Sequence, residues 1–148
     1  MIGAMVESPI ARVLEPDGSV SLTAGACRFL YRCPRPEVVE VVISGVDDGQ
    51  FGTATLDELR LALMRARPLQ LFVDAREALA PAVSVSREWT RFFSEHRHDL
   101  RRVSVLVGSK VVELTIAIAQ HLSRTGNLIQ IYSDPEPFER ERDRAAGR

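Results

Sequence analysis

A chain of 148 residues, 45% of them hydrophobic, is long enough for one domain with a core of its own. Nineteen Lys and Arg stand against twenty Asp and Glu, so the net charge is -1. This excludes nucleic acid or an anionic membrane as a partner drawn by the overall field, and leaves peripheral membrane contact unfavoured unless a local patch provides it. The opening Met1–Glu7 lacks the basic start and apolar core of an export signal, and no run is long enough to span a bilayer, which predicts a cytoplasmic protein. Cys27 and Cys33 are too few for a disulfide framework, and their spacing fits neither a redox pair nor a zinc half-site, so both are expected as reduced thiols near a strand, with a regulatory disulfide as the lesser alternative.

Residues 1–25 are expected as an N-terminal arm or an edge hairpin, with Pro16-Asp17-Gly18-Ser19 as the turn. An α/β domain then spans 26–140, and a charged, frayed C-terminus covers 141–148. Cys27–Arg32 and Glu37–Ser44 predict an antiparallel strand pair joined by Pro34-Arg35-Pro36. Val38-Val39-Glu40-Val41-Val42-Ile43 is nearly all β-branched, as in a strand covered on both faces. Gly45–Gly49 turns the chain, and Thr53 or Thr55 can cap a helix with Asp57 and Glu58 in its first turn. Leu56, Leu59, Leu63 and Ala66 share one face of that helix, which Pro68 stops.

The strand Leu69–Asp74, the loop Ala75–Pro81 and the helix starting near Val83 form the stretch around which the rest is organised. An apolar run closing on a carboxylate and then a helix start is how open α/β sheets build sites beyond their strand ends. Val85, Trp89, Phe92, Phe93 and His96 repeat at helical spacing, and Arg87, Arg91, Arg97, Arg101 and Arg102 lie on the far side or near the end. Val103–Val107 is the next strand, ended by Gly108-Ser109. Val111–Leu122 then reads as a helix apolar almost all round. Val111, Leu114, Ile118 and Leu122 can face the sheet, leaving Val112, Ile116 and Ala119 for another segment or another subunit. Leu128–Tyr132 is the last strand, and Ser133-Asp134-Pro135 caps a final helix that packs by one turn around Phe138.

This order, β-β-α-β-α-β-α-β-α from about Cys27 to Phe138, resembles the STAS family of sulphate-transporter and anti-sigma-factor-antagonist domains, in its STAS/SEC14-like branch of small stand-alone bacterial proteins. Phe72-Val73-Asp74 before an aromatic helix, Val105–Ser109 before an apolar one, and Gly126–Asp134 carry the resemblance. It implies a mixed sheet with packed helices and a signalling or protein-interaction module, or a binder of an apolar or anionic ligand, with no catalysis of its own. In the anti-sigma antagonists a Ser at the start of the helix after the central strand is phosphorylated within an Asp-Ser-Ser-Gly-like motif. Ser84 and Ser86 occupy the comparable region here, without the Gly or the adjoining Asp.

Each candidate also has a plainer reading. Ser84 and Ser86 can accept a phosphoryl group or hold an anion at a helix N-terminus, yet one of them as N-cap is what capping preferences favour. Asp74 stands where a catalytic carboxylate often stands, but Arg76 or Arg87 can pair with it, giving an ordering role. Asp47-Asp48 suits a turn as well as a cation. His96 and His98 point to different helix faces, so no metal is expected, and no cofactor motif is present. Trp89 and Phe93 can line a ligand pocket with Arg91 or Arg97 at its mouth, although aromatics at this spacing are more often core. The expected function is therefore a non-enzymatic regulatory module with a protein partner or a second copy of itself. It would dock through the helix near Ser84 and the face Val112, Ile116 and Ala119; the alternative is a binder of an apolar, lipid-like ligand with an anionic headgroup.

Overall fold

In the computed structural model of the chain, residues 9–110, 112, 113, 116 and 126–148 are described. Their strands form one sheet in chain order: β1 (Ala11–Leu14), β2 (Val20–Ala24), β3 (Cys27–Arg35), β4 (Val38–Gly45), β5 (Leu69–Ala78), β6 (Leu100–Val107) and β7 (Ile129–Tyr132). Neighbours from β1 to β4 are antiparallel and those from β4 to β7 are parallel. The helices α1 (Ala54–Arg65) and α2 (Val83–Glu95) make the first two crossovers, and α3 (Pro135–Ala146) follows β7. Together these elements form the expected single α/β domain with a mixed sheet.

Because β4, β5 and β6 succeed one another in a single direction, crossovers of one hand place α1 and α2 on the same face. The main core lies there: Val39, Val41, Leu71, Val73, Val103 and Val105 meet Leu56, Leu59 and Leu63 of α1 and Phe92 and Phe93 of α2. The anticipated apolar face of α1 is thus the buried one. Thr53 is its N-cap residue without a side-chain bond to the backbone, its hydroxyl turning instead to Asp57 at 2.9 Å. Buried Thr55 accepts the Tyr31 hydroxyl on its carbonyl at 2.8 Å. The described residues contain no helix long and apolar enough to cross a membrane.

The opposite face is covered by α3. Side chains alternate along a strand, so Val38, Phe72 and Leu106 point away from the main core and gather around Phe138, which is 0% exposed. The Phe138 ring stands edge-on to Phe72 and Tyr132, with centroids 5.9 and 5.8 Å away. Val38 and Glu40 on this face and Val39 and Val41 on the other are all buried, which accounts for the β-branched run in β4. Ser104 also belongs to this face; it is 1% exposed and its hydroxyl has no partner among the described residues.

Residues 11–24 form an edge hairpin continuous with the sheet, one of the two forms expected there, in which Asp17 accepts from the Ser19 amide and hydroxyl at 3.0 and 2.6 Å. Three expectations require correction. β3 runs through Pro34 to Arg35 because a register irregularity between Arg32 and Arg35 accommodates a residue without an N–H. β5 continues to Ala78, past the predicted loop start at Ala75. The C-terminus does not fray. Asp134 accepts from the Glu136 amide, Pro135 stands in the first turn, and Gly147 at φ 78° closes the helix with its own amide on the Arg144 carbonyl and that of Arg148 on Asp143. The Arg148 guanidinium then reaches buried Glu40 at 2.9 Å, so the last residue is tied to the middle of β4.

Cys27 is buried and Cys33 exposed on the same strand. Six residues of extended chain hold them on the order of 20 Å apart, too far for an internal disulfide. Burial pushes the Cys27 thiol up to about 11.

Phe138 is the hinge of the second face. Phe138→Ala is expected to lower the unfolding free energy by about 3–5 kcal/mol, whereas removing the exposed Glu141–Arg144 pair at 3.0 Å changes it by less than about 0.5 kcal/mol. Urea denaturation of the two variants checks the contrast.

Candidate functional site: an apolar cavity under the second helix

Where the parallel strands end, the sheet and α2 separate. The pairing of β4 with β5 shifts between Val42 and Ser44, so that β5 carries one extra residue there. Such bulges bend a strand at the rim of a sheet. Gly45, Ala75 and Ala78 present little or no side chain at the same place. The result is a cavity of ≈140 Å³ between the sheet and α2.

Its floor comes from Val73 and Ala75 of β5, Val105 of β6 and Ile129 of β7, with Phe29 and Ile43 to one side. α2 forms the roof through Val85, Ser86, Trp89, Thr90 and Phe93. Trp89 is held by rings on both sides: Phe29 at 6.2 Å and nearly parallel, Phe93 at 5.9 Å and tilted by 66°. Two backbone bonds clip the start of α2 over the opening. The Leu79 amide donates to the Gly45 carbonyl, and the Ala82 amide to the Asp47 carbonyl, both at 3.0 Å. Gly45 is required there: its φ is +86°, and a Cβ would lie 2.5 Å from the Ala26 carbonyl oxygen.

One carboxylate stands on this wall. Asp47 is 6% exposed and accepts from the Gly49 amide at 2.9 Å. Burial pushes its carboxyl above the usual carboxylate range; the Gly49 amide opposes that shift, while the negative charges of Asp48 and Glu88 add to it.

The structure brings some of the anticipated residues together and separates others. Trp89, Phe93 and Ser86 line the cavity. Ser84, two residues before Ser86, is exposed, and neither serine caps α2. The helix begins at Val83 with Ala82 as N-cap residue and no side-chain bond, so Ser84 already lies inside the first turn. Asp74 lies on the other face of the sheet, in the middle of the lengthened β5, where it is bonded to Arg76 at 3.0 Å; Arg76 also reaches Glu139 of α3 at 2.9 Å. Arg91 and Arg97 are exposed and are not among the described residues that line the cavity.

Val112 and Ile116 were expected to look away from the sheet. Both pack against the main core and line the cavity, in a helical stretch that Ser109 caps by accepting from the Val112 amide at 3.2 Å. Val111, Ala119 and most of the Val111–Leu122 segment lie outside the described residues. No group of three His, Cys, Asp or Glu among the described residues is placed to hold a metal. Asp47 is what the sequence reading missed as a cavity residue. Its signal was its place just after β4, next to the strand that carries the central loop.

No protein-family model and no curated protein matches the chain by sequence. Solved structures do match. An anti-sigma factor antagonist from Mycobacterium paratuberculosis superposes with a TM-score of 0.58 at 13% identity, over 87% of this chain and 97% of that one. An uncharacterized protein of the DUF3478 family with a SpoIIAA-like fold, from Shewanella loihica PV-4, superposes with a TM-score of 0.50 at 12% identity, over 95% of this chain and 98% of that one. The chain therefore has the SpoIIAA-like fold of anti-sigma factor antagonists, the architecture of STAS domains.

The raised Asp47 carboxyl has a measurable sign. Because its folded value lies above the ordinary 3.8, the protonated form favours the folded state. That contribution is present at low pH and is lost as pH rises from 3.8 through the folded value. Relative to wild type, Asp47→Asn is expected to gain stability across that interval and to run parallel above it. Urea midpoints measured against pH for the two proteins give the difference directly.

Proposed function

We propose that this chain, built on the fold of an anti-sigma factor antagonist, is a regulatory protein-binding module without catalysis of its own, working through the start of α2. The observation that carries this reading is the apolar rim there. Leu79, on the loop before α2, and Val83, its first residue, are 64% and 68% exposed on a stretch that is nonetheless clipped to the end of β4. Apolar side chains held in water by a fixed backbone favour a protein surface as their cover, since little ordering cost remains to be met on binding. The antagonist from Mycobacterium paratuberculosis is named for opposing an anti-sigma factor; a protein of that regulatory kind is the partner we infer here.

Asp47, Ser86 and Thr90 supply polar side chains to the cavity among the described residues. Ser84, exposed in the first turn of α2, is the more accessible of the two serines for a phosphoryl group. Charge added there would sit within the docking rim.

A second reading is favoured by the cavity itself, which is apolar, roofed by aromatics and open at the strand ends, as small-molecule sites are. In that reading the chain binds an apolar ligand.

Pull-down from native extract with wild type and with a Leu79→Asp, Val83→Asp variant tests the first reading, followed by affinity measurement with the purified partner. Both substituted residues are exposed, so circular dichroism is expected to be unchanged while partner affinity drops at least about tenfold. Equal affinity of the two proteins contradicts docking at this rim.

A further inference from the structure

We propose that the cavity beneath α2 takes a compact apolar amine, with Asp47 as the counter-charge for its ammonium group. This rests on the second reading above, that the cavity holds a small molecule, and names the molecule's class.

Size comes first. The ≈140 Å³ cavity is close to an engineered cavity of about 150 Å³ that admits benzene, and well below the roughly 300 Å³ at which sites for drug-sized ligands begin. The occupant is one ring or a short chain. Val73, Ala75, Val105 and Ile129 offer it only hydrocarbon. Phe29 and Trp89, stacked on each other, add aromatic rings to that wall.

Charge decides the polar end. Asp47 is buried on the wall, and no Lys, Arg or His among the described residues forms an ion pair with it; its side chain accepts the Gly49 amide. A buried carboxylate without a cation is half of a pair, and supplying the other half recovers what its desolvation costs. Among the described residues, the neighbouring charges that raise the Asp47 carboxyl are those of Asp48 and Glu88, both negative. An ammonium is attracted by all three, while a carboxylate or phosphate is repelled by all three. The anionic headgroup expected from the arginines on α2 therefore has no support here, since Arg91 and Arg97 are off the described wall.

The test uses four probes of similar shape at neutral pH: benzylamine, benzyl alcohol, toluene and benzoate. Each is titrated into the wild-type protein while the Trp89 indole and the Gly45 and Asp47 amides are followed by NMR. Benzylamine is expected to bind at least about tenfold more tightly than benzyl alcohol or toluene, as a charge-assisted bond to a buried carboxylate implies, and benzoate not to bind. In Asp47→Asn the benzylamine affinity is expected to fall to that of benzyl alcohol. If toluene or benzyl alcohol shifts the cavity signals and matches benzylamine, the amine assignment is overturned and the apolar cavity stands. If no probe shifts them, the ligand-binding reading falls as well. The wild-type series decides alone should the variant fold poorly.

Discussion

The architecture depends on one geometrical constraint: strands β4, β5 and β6 lie side by side in the order in which they are made, all pointing the same way. Crossovers of one hand then carry α1 and α2 to a single face and return the chain to the same end of the sheet each time. Every strand-to-helix turn therefore opens at one rim. The end of β4, the β5–α2 loop and the stretch after β6 meet there, and the Leu79–Gly45 and Ala82–Asp47 backbone bonds fasten two of them together.

The same constraint explains why the two faces differ so much in chemistry. One receives the crossover helices and becomes a hydrocarbon core containing Leu59, Val41, Val73 and Phe92. The other is served by α3, which brings one large apolar anchor, Phe138, and otherwise ionic contacts: Arg76 between Asp74 and Glu139, and Arg148 between Glu40 and Asp143. Paired charges suit a half-covered face because they are satisfied whether or not water reaches them. The void under α2 has a different origin. A bulge and three small residues, Gly45, Ala75 and Ala78, sit opposite the bulky roof residues Trp89 and Phe93, so the layers cannot close completely.

The fold was readable because its signals are local and periodic. The β-branched run of β4, the three-and-four spacing of Leu56, Leu59 and Leu63, and the Ser133-Asp134-Pro135 start of the last helix each specify an element with little help from tertiary structure. Elements whose limits depend on partners were read less well. β5 gained four residues beyond Asp74 through pairing with β4 and β6, which moved Asp74 from a loop edge to the far face of the sheet. The C-terminal residues looked solvated in sequence but are held by a Gly147 cap and by Glu40, more than a hundred positions away. Trp89 and Phe93, read as core or as a pocket wall, pack with the core and also line the cavity, while Asp47 was assigned to its turn, because the proximity of that turn to α2 is set by backbone bonds that leave no trace in side-chain pattern.

The account stands on an apolar space held open between α2 and the ends of the parallel strands. Xenon pressurisation of crystals tests it most directly, since xenon enters cavities of this size and character without needing a polar contact. A xenon atom among Val73, Val105, Trp89 and Ile129 is the predicted result. Side chains closed over that position with no xenon bound, or a hydrogen-bonded water cluster filling it, would contradict the account.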